Sequence, residues 1–349
     1  MNKNAVILFN LGGPDNLDSV ESFLFNLFYD KAIINLPNPF RWLIAKIISK
    51  RRVETAQEIY KKLGGASPIY GETLKQKNAI EQKLNSAQNL FKVFICMRYS
   101  KPFSDDVIKE LEKEDFNQII LLPLYPHFST TTTESSIKDF ASKLKKNNLD
   151  IPIKTICCYP KEENFIESHV NLIKKIYNQI ENKDRVRILF SAHGLPERII
   201  KAGDPYQWQI EQTCENIVNK LDIDNLDYKI CYQSRVGPLK WIGPATDDEI
   251  ILASKENLNL VIVPIAFVSE HSETLVELDI EYKTLAEEHN AKGYFRVPTL
   301  SLEENFIDSL VNLCLKIENL ENKNKINYYS SELKRICPNN FCKCINNYD

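Results

Sequence analysis

The sequence lacks the features that identify several classes of protein. Its formal net charge is −3 over 349 residues, so there is no overall positive field to recruit nucleic acid. No apolar run reaches the roughly 18 residues that a membrane-spanning helix needs. The opening MNKNAVILFNLGGP has only a short apolar run and no small-residue cleavage site, so we expect no secretory signal. These absences predict a cytoplasmic protein that does not bind nucleic acid.

Two phosphate-binding motifs are also missing. No G-x-G-x-x-G follows the first apolar run, and no G-x-x-x-x-G-K-[ST] occurs in the chain. Dinucleotide and nucleotide-phosphate binding of those two kinds therefore lose support. The composition is otherwise ordinary, because 43% of the residues are hydrophobic and 26% are charged, as in globular proteins. The length favours two domains over one.

Cysteine, in contrast, is abundant enough to need an explanation. Nine cysteines without a secretory signal indicate a reducing compartment, where thiols stay reduced or bind metal. Six of them lie in apolar contexts, which favours core packing for most of those. The other three, Cys337, Cys342 and Cys344, crowd one short tail, and core packing does not account for that spacing.

Short β-branched runs alternate with longer helical patterns along the chain. The runs that predict buried strands are 5–10, 91–97, 118–125, 152–158, 185–192, 228–234 and 260–267. Their almost continuous apolar character is typical of strands covered on both faces. The β–α alternation implies parallel sheets with right-handed crossovers. We therefore expect an α/β fold of two doubly wound lobes rather than one closed barrel.

His193 stands where the predicted strand 185–192 ends. Open α/β sheets bind ligands beyond the carboxyl ends of their strands, so this position suits a functional side chain. Gly194 lets the backbone approach a ligand closely, and Pro196 stiffens the turn. A purely structural role for a single histidine is the alternative.

Four glutamates follow the last predicted strand. Glu270, Glu273, Glu277 and Glu281 recur at spacings of three, four and four, with His271 among them. On an α-helix this spacing stacks the carboxylates on one face, which would suit a hydrated divalent cation. The alternative is a solvated acidic face.

Two aromatic segments also leave alternatives open. Trp241 lies between two Gly-Pro steps, which suits either a platform for a flat apolar ligand or a shield over the edge of the core. Segment 37–68 mixes large apolar side chains with basic ones. It is either a core helix with a solvated basic face or an apolar lip, at about 37–52, that touches a membrane surface.

Seven stretches, taken together and in order, resemble the ferrochelatase family. They are FNLGGPD, YKKLGGASPIYGET, MRYSKPF, LPLYPHFSTTTTESS, FSAHGLPERIIKAGDPY, CYQSRVGPLKWIGPATDDEI and PIAFVSEHSETLVELDIEY. The resemblance covers roughly residues 4–320. It implies a chelatase-like fold of two Rossmann-like lobes and the insertion of Fe²⁺ into protoporphyrin IX, the terminal step of haem biosynthesis. The substrates would be a porphyrin and ferrous iron.

The resemblance also implies roles for individual residues. His193 and Glu273 match catalytic positions, and His193, Glu273 and Glu277 match metal-site positions. The positions that match porphyrin-binding residues are Arg52, Tyr60, Ser67, Arg98, Tyr99, Trp241 and Phe267. The sequence departs from the family pattern at Glu134, where many members have glycine, and at Glu270 and Ser272, where aspartate and isoleucine are common.

The expected domain organisation follows from the same resemblance. Residues 1–158 would form the N-terminal lobe and 159–298 the C-terminal lobe, with 299–320 a helix that packs back on the lobes. Residues 321–349 would form a cysteine-containing tail. Some ferrochelatases hold a [2Fe–2S] cluster on three C-terminal cysteines and one internal cysteine. The resemblance therefore implies Cys337, Cys342 and Cys344 as ligands, with Cys158 favoured over its neighbour Cys157 as the internal one. A loose tail and a zinc site are the alternatives.

Other functions remain open from the sequence. One is a chelatase for coproporphyrin III or for another tetrapyrrole or metal. A different class is a porphyrin carrier without activity, which would have no use for the stacked carboxylates. The apolar lip favours peripheral contact with the inner face of a membrane, and the oligomeric state is not predicted.

Overall fold

Parallel strands alternate with helices in the computed structural model, which describes residues 3–85, 90–181, 183–322 and 324–346. The strands are β1 Lys3–Asn10, β2 Leu90–Met97, β3 Gln118–Pro123, β4 Ile153–Cys158, β5 Val186–His193, β6 Asp227–Gln233, β7 Asn259–Pro264, β8 Gly293–Arg296 and β9 Ile326–Ser330. The helices are α1 Val20–Tyr29, α2 Phe40–Lys61, α3 Ile69–Leu84, α4 Ser104–Leu111, α5 Thr133–Lys146, α6 Glu163–Tyr177, α7 Glu197–Lys201, α8 Tyr206–Leu221, α9 Thr246–Lys255, α10 Ser272–Leu275, α11 Lys283–Glu288 and α12 Glu304–Glu318. A 3₁₀ turn spans Lys183–Arg185 and a π-helical segment spans Glu277–Tyr282.

The chain divides into two compact units. The first unit comprises Met1–Cys158, Leu310–Ile336 and Ile345–Asp349, and the second comprises Tyr159–Ser309 and Cys337–Cys344. The tail expected at 321–349 is therefore shared between them. Residues 323 and 347–349 of that tail lie outside the described residues.

The first unit is built on a sheet of order β2-β1-β3-β4-β9, in which every pairing is parallel. Within β1 the run Ala5–Leu8 has no solvent exposure. This explains the unbroken apolar run, because parallel strands in α/β proteins are covered on both faces. A core cluster of helix and strand residues, including Phe9, Phe140 and Ile119, packs against the sheet.

The second unit is built on a sheet of order β6-β5-β7-β8, again with parallel pairing throughout. Residues Leu260–Val263 of β7 are fully buried. The predicted α/β class with two parallel-sheet lobes is thus confirmed. Strands β8 and β9 are additions to the prediction, since neither has a long apolar run.

The apolar segment of α2 is exposed rather than buried. Phe40, Trp42, Leu43 and Ile47 are 62%, 49%, 51% and 42% exposed. The opposite side of the helix is anchored, because Ala45 has no exposure. Among the described residues, no helix is long and apolar enough to cross a membrane.

The acidic stretch after β7 is not one α-helix, so the predicted stack of four carboxylates is wrong. Helix α10 is short, and the chain then enters the π-helical segment, where the amide of Glu281 donates to the carbonyl of Val276. A π turn takes more residues than an α turn, so the regular three–four spacing no longer keeps side chains on one face. Glu270 lies before α10, and Glu281 is exposed.

Candidate functional site

His193 is the last residue of β5, at the carboxyl end of the second sheet. Its Nδ1 lies 2.6 Å from the carbonyl oxygen of Gly194. Because a carbonyl oxygen only accepts, Nδ1 carries the proton of the neutral ring and Nε2 keeps the lone pair. The hydroxyl of Tyr206 donates to the carbonyl of His193 over 3.0 Å, which fixes the backbone at the strand end. The imidazole is therefore a base held in one orientation.

Glu273 lies between two imidazole rings. Its Oε1 is 3.6 Å from Nε2 of His193, and its Oε2 is 3.6 Å from Nε2 of His271. The Nδ1 of His271 lies 3.1 Å from the carbonyl oxygen of Ser269, so this ring also directs its lone pair at the carboxylate when neutral. Two lone pairs facing one carboxylate repel, which makes this space favourable for a proton or a metal cation.

The carboxyl group of Glu273 stays ionised. Burial opposes ionisation, but the positive charges that His193 and His271 carry when they are protonated outweigh it and lower the pKa of Glu273 to about 2. A negative charge is thus present on Glu273, between the two rings. Across the described part of the chain, no three His, Cys, Asp or Glu side chains form a ligand group for one metal ion.

Glu277 is held by hydrogen bonds on both carboxylate oxygens. Ser234 donates from its amide to Oε1 over 2.8 Å and from its hydroxyl to Oε2 over 2.6 Å. Tyr282 donates to Oε1 and Gln233 to Oε2, over 3.0 and 3.2 Å. Burial, and next the negative charge of Glu273, raise the pKa of Glu277 despite these donors. The two neighbouring carboxyl groups therefore differ in how readily they ionise.

The aromatic positions of the second unit lie beside these groups. Trp241 pairs with Pro196 in an isolated antiparallel bridge, directly after the turn that follows His193. A Cβ atom at Gly194 would lie 3.3 Å from Cε3 of Trp241 and 3.0 Å from the carbonyl oxygen of Gln233. This crowding explains the glycine. The ring of Phe267 packs on that of His271 with centroids 4.9 Å apart.

The candidate residues of the first unit differ in how far they are buried. Tyr60 and Tyr99 are buried in one apolar cluster with Val20. Arg52 is exposed with its guanidinium over the ring of Phe28. Ser67 is half-buried, and its amide donates to the carbonyl of Pro14 over 2.8 Å.

Arg98 and Tyr99 share one acidic partner, Asp30. The guanidinium of Arg98 lies 2.9 Å from Oδ2 of Asp30, and the hydroxyl of Tyr99 donates to the same oxygen over 2.8 Å. The Nε of Arg98 also donates to the hydroxyl of Ser135 over 2.8 Å. Burial raises the pKa of Tyr99 well above its usual value, so this hydroxyl stays protonated.

All nine cysteines are present as thiols. Cys158 is buried at the end of β4, with its sulfur 3.6 Å from that of Cys157. In the second unit, Cys337 is buried and accepts a hydrogen bond from Nε2 of Gln209 over 3.1 Å. Cys342 is exposed, whereas Cys344 is buried.

Several residues of the site were not singled out from the sequence. Gln233 and Ser234 end the predicted strand 228–234, which is the same strand-end position that singled out His193. They could therefore have been predicted as site residues from the sequence. Tyr206 and Tyr282 gave no such signal, because neither ends a predicted strand. Asp30 gave none because its partners Arg98 and Tyr99 are distant in the chain.

The chain is similar to known proteins over almost its whole length. The family model described as Ferrochelatase matches residues 3–317. The chain belongs to the ferrochelatase family. Ferrochelatase from Rickettsia felis is 57% identical over 343 residues, which is 98% of this chain and 97% of that protein. Ferrochelatase from Pelagibacter ubique is 52% identical, covering 98% of each chain.

Solved structures show the same fold at far lower identity. SirB from Bacillus subtilis, determined with Fe³⁺, has a TM-score of 0.52 and 9% identity, covering 89% of this chain and 94% of that one. At this identity the likeness is evidence for the fold alone. The ferrochelatase resemblance of the seven sequence stretches is confirmed by the family match.

Proposed function

We propose that this protein is a ferrochelatase that inserts Fe²⁺ into protoporphyrin IX and so produces protohaem. The observation that carries the proposal is the carboxylate of Glu273, which lies 3.6 Å from Nε2 of His193 and 3.6 Å from Nε2 of His271. A base and a fixed anion together are what replacement of pyrrole protons by a metal cation requires.

The chemistry can be assigned to these groups. A free porphyrin carries two pyrrole N–H groups, and both protons leave as Fe²⁺ enters, with no change in oxidation state. Neutral His193 accepts the two protons one after the other at Nε2, because Nδ1 is already engaged with Gly194, and it releases each to solvent, to which its side chain is 37% exposed. The ionised Glu273 stabilises the imidazolium that forms. Glu273 and Glu277 provide oxygen atoms to the incoming metal.

The remaining candidate residues hold the macrocycle in this proposal. The rings of Trp241 and Phe267 offer flat apolar surfaces beside His193 and His271, and such surfaces bind a porphyrin by burial of apolar area. In the first unit, the guanidinium of Arg52 suits a propionate carboxylate. Tyr60, Ser67, Arg98 and Tyr99 are assigned to porphyrin binding on their match to the family positions.

The identity of the porphyrin is tested by an anaerobic assay. Purified protein is mixed with Fe²⁺ and either protoporphyrin IX or coproporphyrin III, and haem formation is followed by absorption. Faster turnover of protoporphyrin supports the proposal, whereas faster turnover of coproporphyrin contradicts the substrate. Tight porphyrin binding with no metal insertion would identify a carrier instead.

We also propose that α2 makes peripheral contact with the inner face of a membrane. Its exposed apolar side chains, such as Trp42 and Leu43, are followed by the exposed cations Lys50, Arg51 and Arg52. Apolar groups enter the interface while cations meet anionic headgroups.

Sedimentation with phosphatidylglycerol vesicles should capture the protein, and Leu43→Ser should weaken capture. The control Leu302→Ser removes a side chain that is 49% exposed in the second unit. Equal effects of both substitutions contradict the proposal.

A separate proposal concerns the cysteines. We propose that Cys158, Cys337, Cys342 and Cys344 supply the thiolates of a [2Fe–2S] cluster, because four thiolates are the number that such a cluster requires. The hydrogen bond that Gln209 donates to the sulfur of Cys337 is of the kind that ligand sulfurs accept in iron–sulfur clusters. The described residues contain no preformed group of three metal ligands, so no step of iron insertion is assigned to the cluster.

The cluster is tested by anaerobic reconstitution with iron and sulfide. Visible absorption and about two acid-labile sulfides per chain are expected, and Cys342→Ser should remove both signals. Cys314→Ser, at a buried cysteine of α12, is the matched control. Wild-type protein without either signal contradicts the cluster.

A further inference from the structure

The π-helical segment Glu277–Tyr282 needs support from outside itself. A π turn is rare and usually occurs as a single turn, and here α10 on one side of it is only four residues long. The segment carries Glu277 and continues the stretch that carries Glu273. The geometry of both carboxylates therefore depends on what holds this irregular stretch.

Arg296, the last residue of β8, holds the stretch at two points. Its Nε and Nη2 donate to the two oxygens of Asp279 over 2.6 and 2.7 Å, which is a bidentate pair inside the π segment. Its Nη1 donates to Oε1 of Glu270 over 2.7 Å, before α10 begins. The side chain of Arg296 is only 13% exposed, and a planar guanidinium suits such a fixed geometry.

The contact at Glu270 continues towards the catalytic carboxylate. The second oxygen of Glu270 accepts from the hydroxyl of Thr274 over 2.6 Å. That same hydroxyl oxygen accepts from the amide of His271 over 3.0 Å. Thr274 and His271 stand near Glu273 in the chain, so the position of Arg296 is linked to the backbone that carries Glu273.

A second residue of β8 supports the same segment. The hydroxyl of Tyr294 donates to the carbonyl oxygen of Leu278 over 2.6 Å. This bond satisfies a carbonyl within the π turn. Strand β8 thus contacts the irregular segment through both its tyrosine and its arginine.

We propose that Arg296 is a positioning residue for metal insertion, which acts by clamping Glu270 and Asp279 so that Glu273 stays between His193 and His271. The proposal rests on the proposed ferrochelatase activity. Arg296 does not contact the reacting groups itself. Glu270, which the sequence placed in a metal-binding stack, serves as one end of this clamp.

The chain provides a closely matched control in Arg187. Its Nε lies 3.0 and 2.9 Å from the two oxygens of Asp227, and its Nη2 donates to Glu256 over 2.9 Å. It is also largely buried and paired with one aspartate and one glutamate, but it lies near the start of β5, whereas His193 ends that strand. Substitution of either arginine leaves two carboxylates without their cation. Of the two arginines, Arg296 is the one that contacts the π-helical segment.

The experiment compares Arg296→Gln, Arg296→Lys and Arg187→Gln with wild type. We measure kcat, the KM for Fe²⁺ and for porphyrin, porphyrin binding by fluorescence quenching, and thermal unfolding. We expect Arg296→Gln to lower kcat by roughly 10- to 100-fold, since small misplacements at a reacting centre have effects of that size. Porphyrin binding should change less than threefold. Arg296→Lys should recover part of the kcat that Arg296→Gln loses. Arg187→Gln should lower Tm by about as much as Arg296→Gln does, while keeping kcat within twofold of wild type.

Two results would overturn the clamp. One is a kcat within twofold of wild type for Arg296→Gln, and the other is an equal loss of kcat in Arg187→Gln. If Arg296→Gln does not fold, Glu270→Gln and Asp279→Asn each remove one arm, and both must then lower kcat for the inference to stand. An inactive wild type contradicts the proposed function instead, so the two failures are distinguishable.

Discussion

The Nε2 atom of His193 lies 3.6 Å from Oε1 of Glu273, and a backbone carbonyl fixes which ring nitrogen faces the carboxylate. The pair brings a strand end and a short helix together from distant parts of the chain. A base and an anion at this separation leave room for a proton to settle on the ring or for a cation to bind between them.

His193→Ala should lower kcat by about 100-fold or more, because it removes the base that accepts a pyrrole proton. Porphyrin binding, followed by fluorescence quenching, should change less than threefold. His289→Ala, at a half-buried histidine after α11, serves as the control and should keep wild-type turnover. Near-normal kcat in His193→Ala would contradict the assigned role.

Gly194→Ala should impair porphyrin binding and stability together. The new Cβ would lie 3.0 Å from the carbonyl oxygen of Gln233 and 3.3 Å from Trp241, so the indole must shift. We expect the free energy of unfolding to fall by about 1–3 kcal/mol and the KM for porphyrin to rise. Gly71→Ala is the control, because a Cβ there meets nothing within 4 Å. Unchanged porphyrin KM in Gly194→Ala would show that Trp241 does not bind the macrocycle.

The stability of the protein should depend on pH through His169. This side chain is 2% exposed and packs edge-on against Phe165, and burial lowers the pKa of His169 from 6.5 to about 3. Between pH 6.5 and 3 the unfolded chain binds a proton at His169 more readily than the folded protein does. The free energy of unfolding therefore falls as pH drops through this range, and the contribution of His169 to stability is complete only above pH 6.5. The slope from this group is at most about 1.4 kcal/mol per pH unit.

Urea unfolding between pH 7 and pH 5 measures this slope. His169→Gln should flatten it, whereas His289→Gln, which leaves His169 in place, should keep it. If His169→Gln unfolds with the wild-type pH dependence, burial of the neutral imidazole is not its source.

Features that depend on local sequence patterns, such as buried strands and family motifs, could be predicted from the sequence. Continuous apolar runs predicted the parallel strands, and the strand-end position of His193 pointed to the candidate site, whose residue roles stay a prediction. The family motifs predicted the ferrochelatase assignment, which the family match confirms.

The predicted carboxylate stack failed because hydrogen bonds from another part of the chain set the backbone. Tyr294 and Arg296 hold residues 278 and 279 in a π turn, and they lie on β8, whose sequence GYFR has no long apolar run to predict a strand. Likewise, the sharing of the tail between the two units depends on distant contacts, such as Gln209 with Cys337, that sequence spacing does not encode.

The central claim is tested most directly by anaerobic haem formation from Fe²⁺ and protoporphyrin IX, comparing wild type with Glu273→Gln. The substitution keeps the shape of the side chain but removes its charge. The wild type should form protohaem, and Glu273→Gln should be about 100-fold slower or more while still binding porphyrin. A wild type that inserts no iron, or a Glu273→Gln variant with the wild-type rate, would contradict the account.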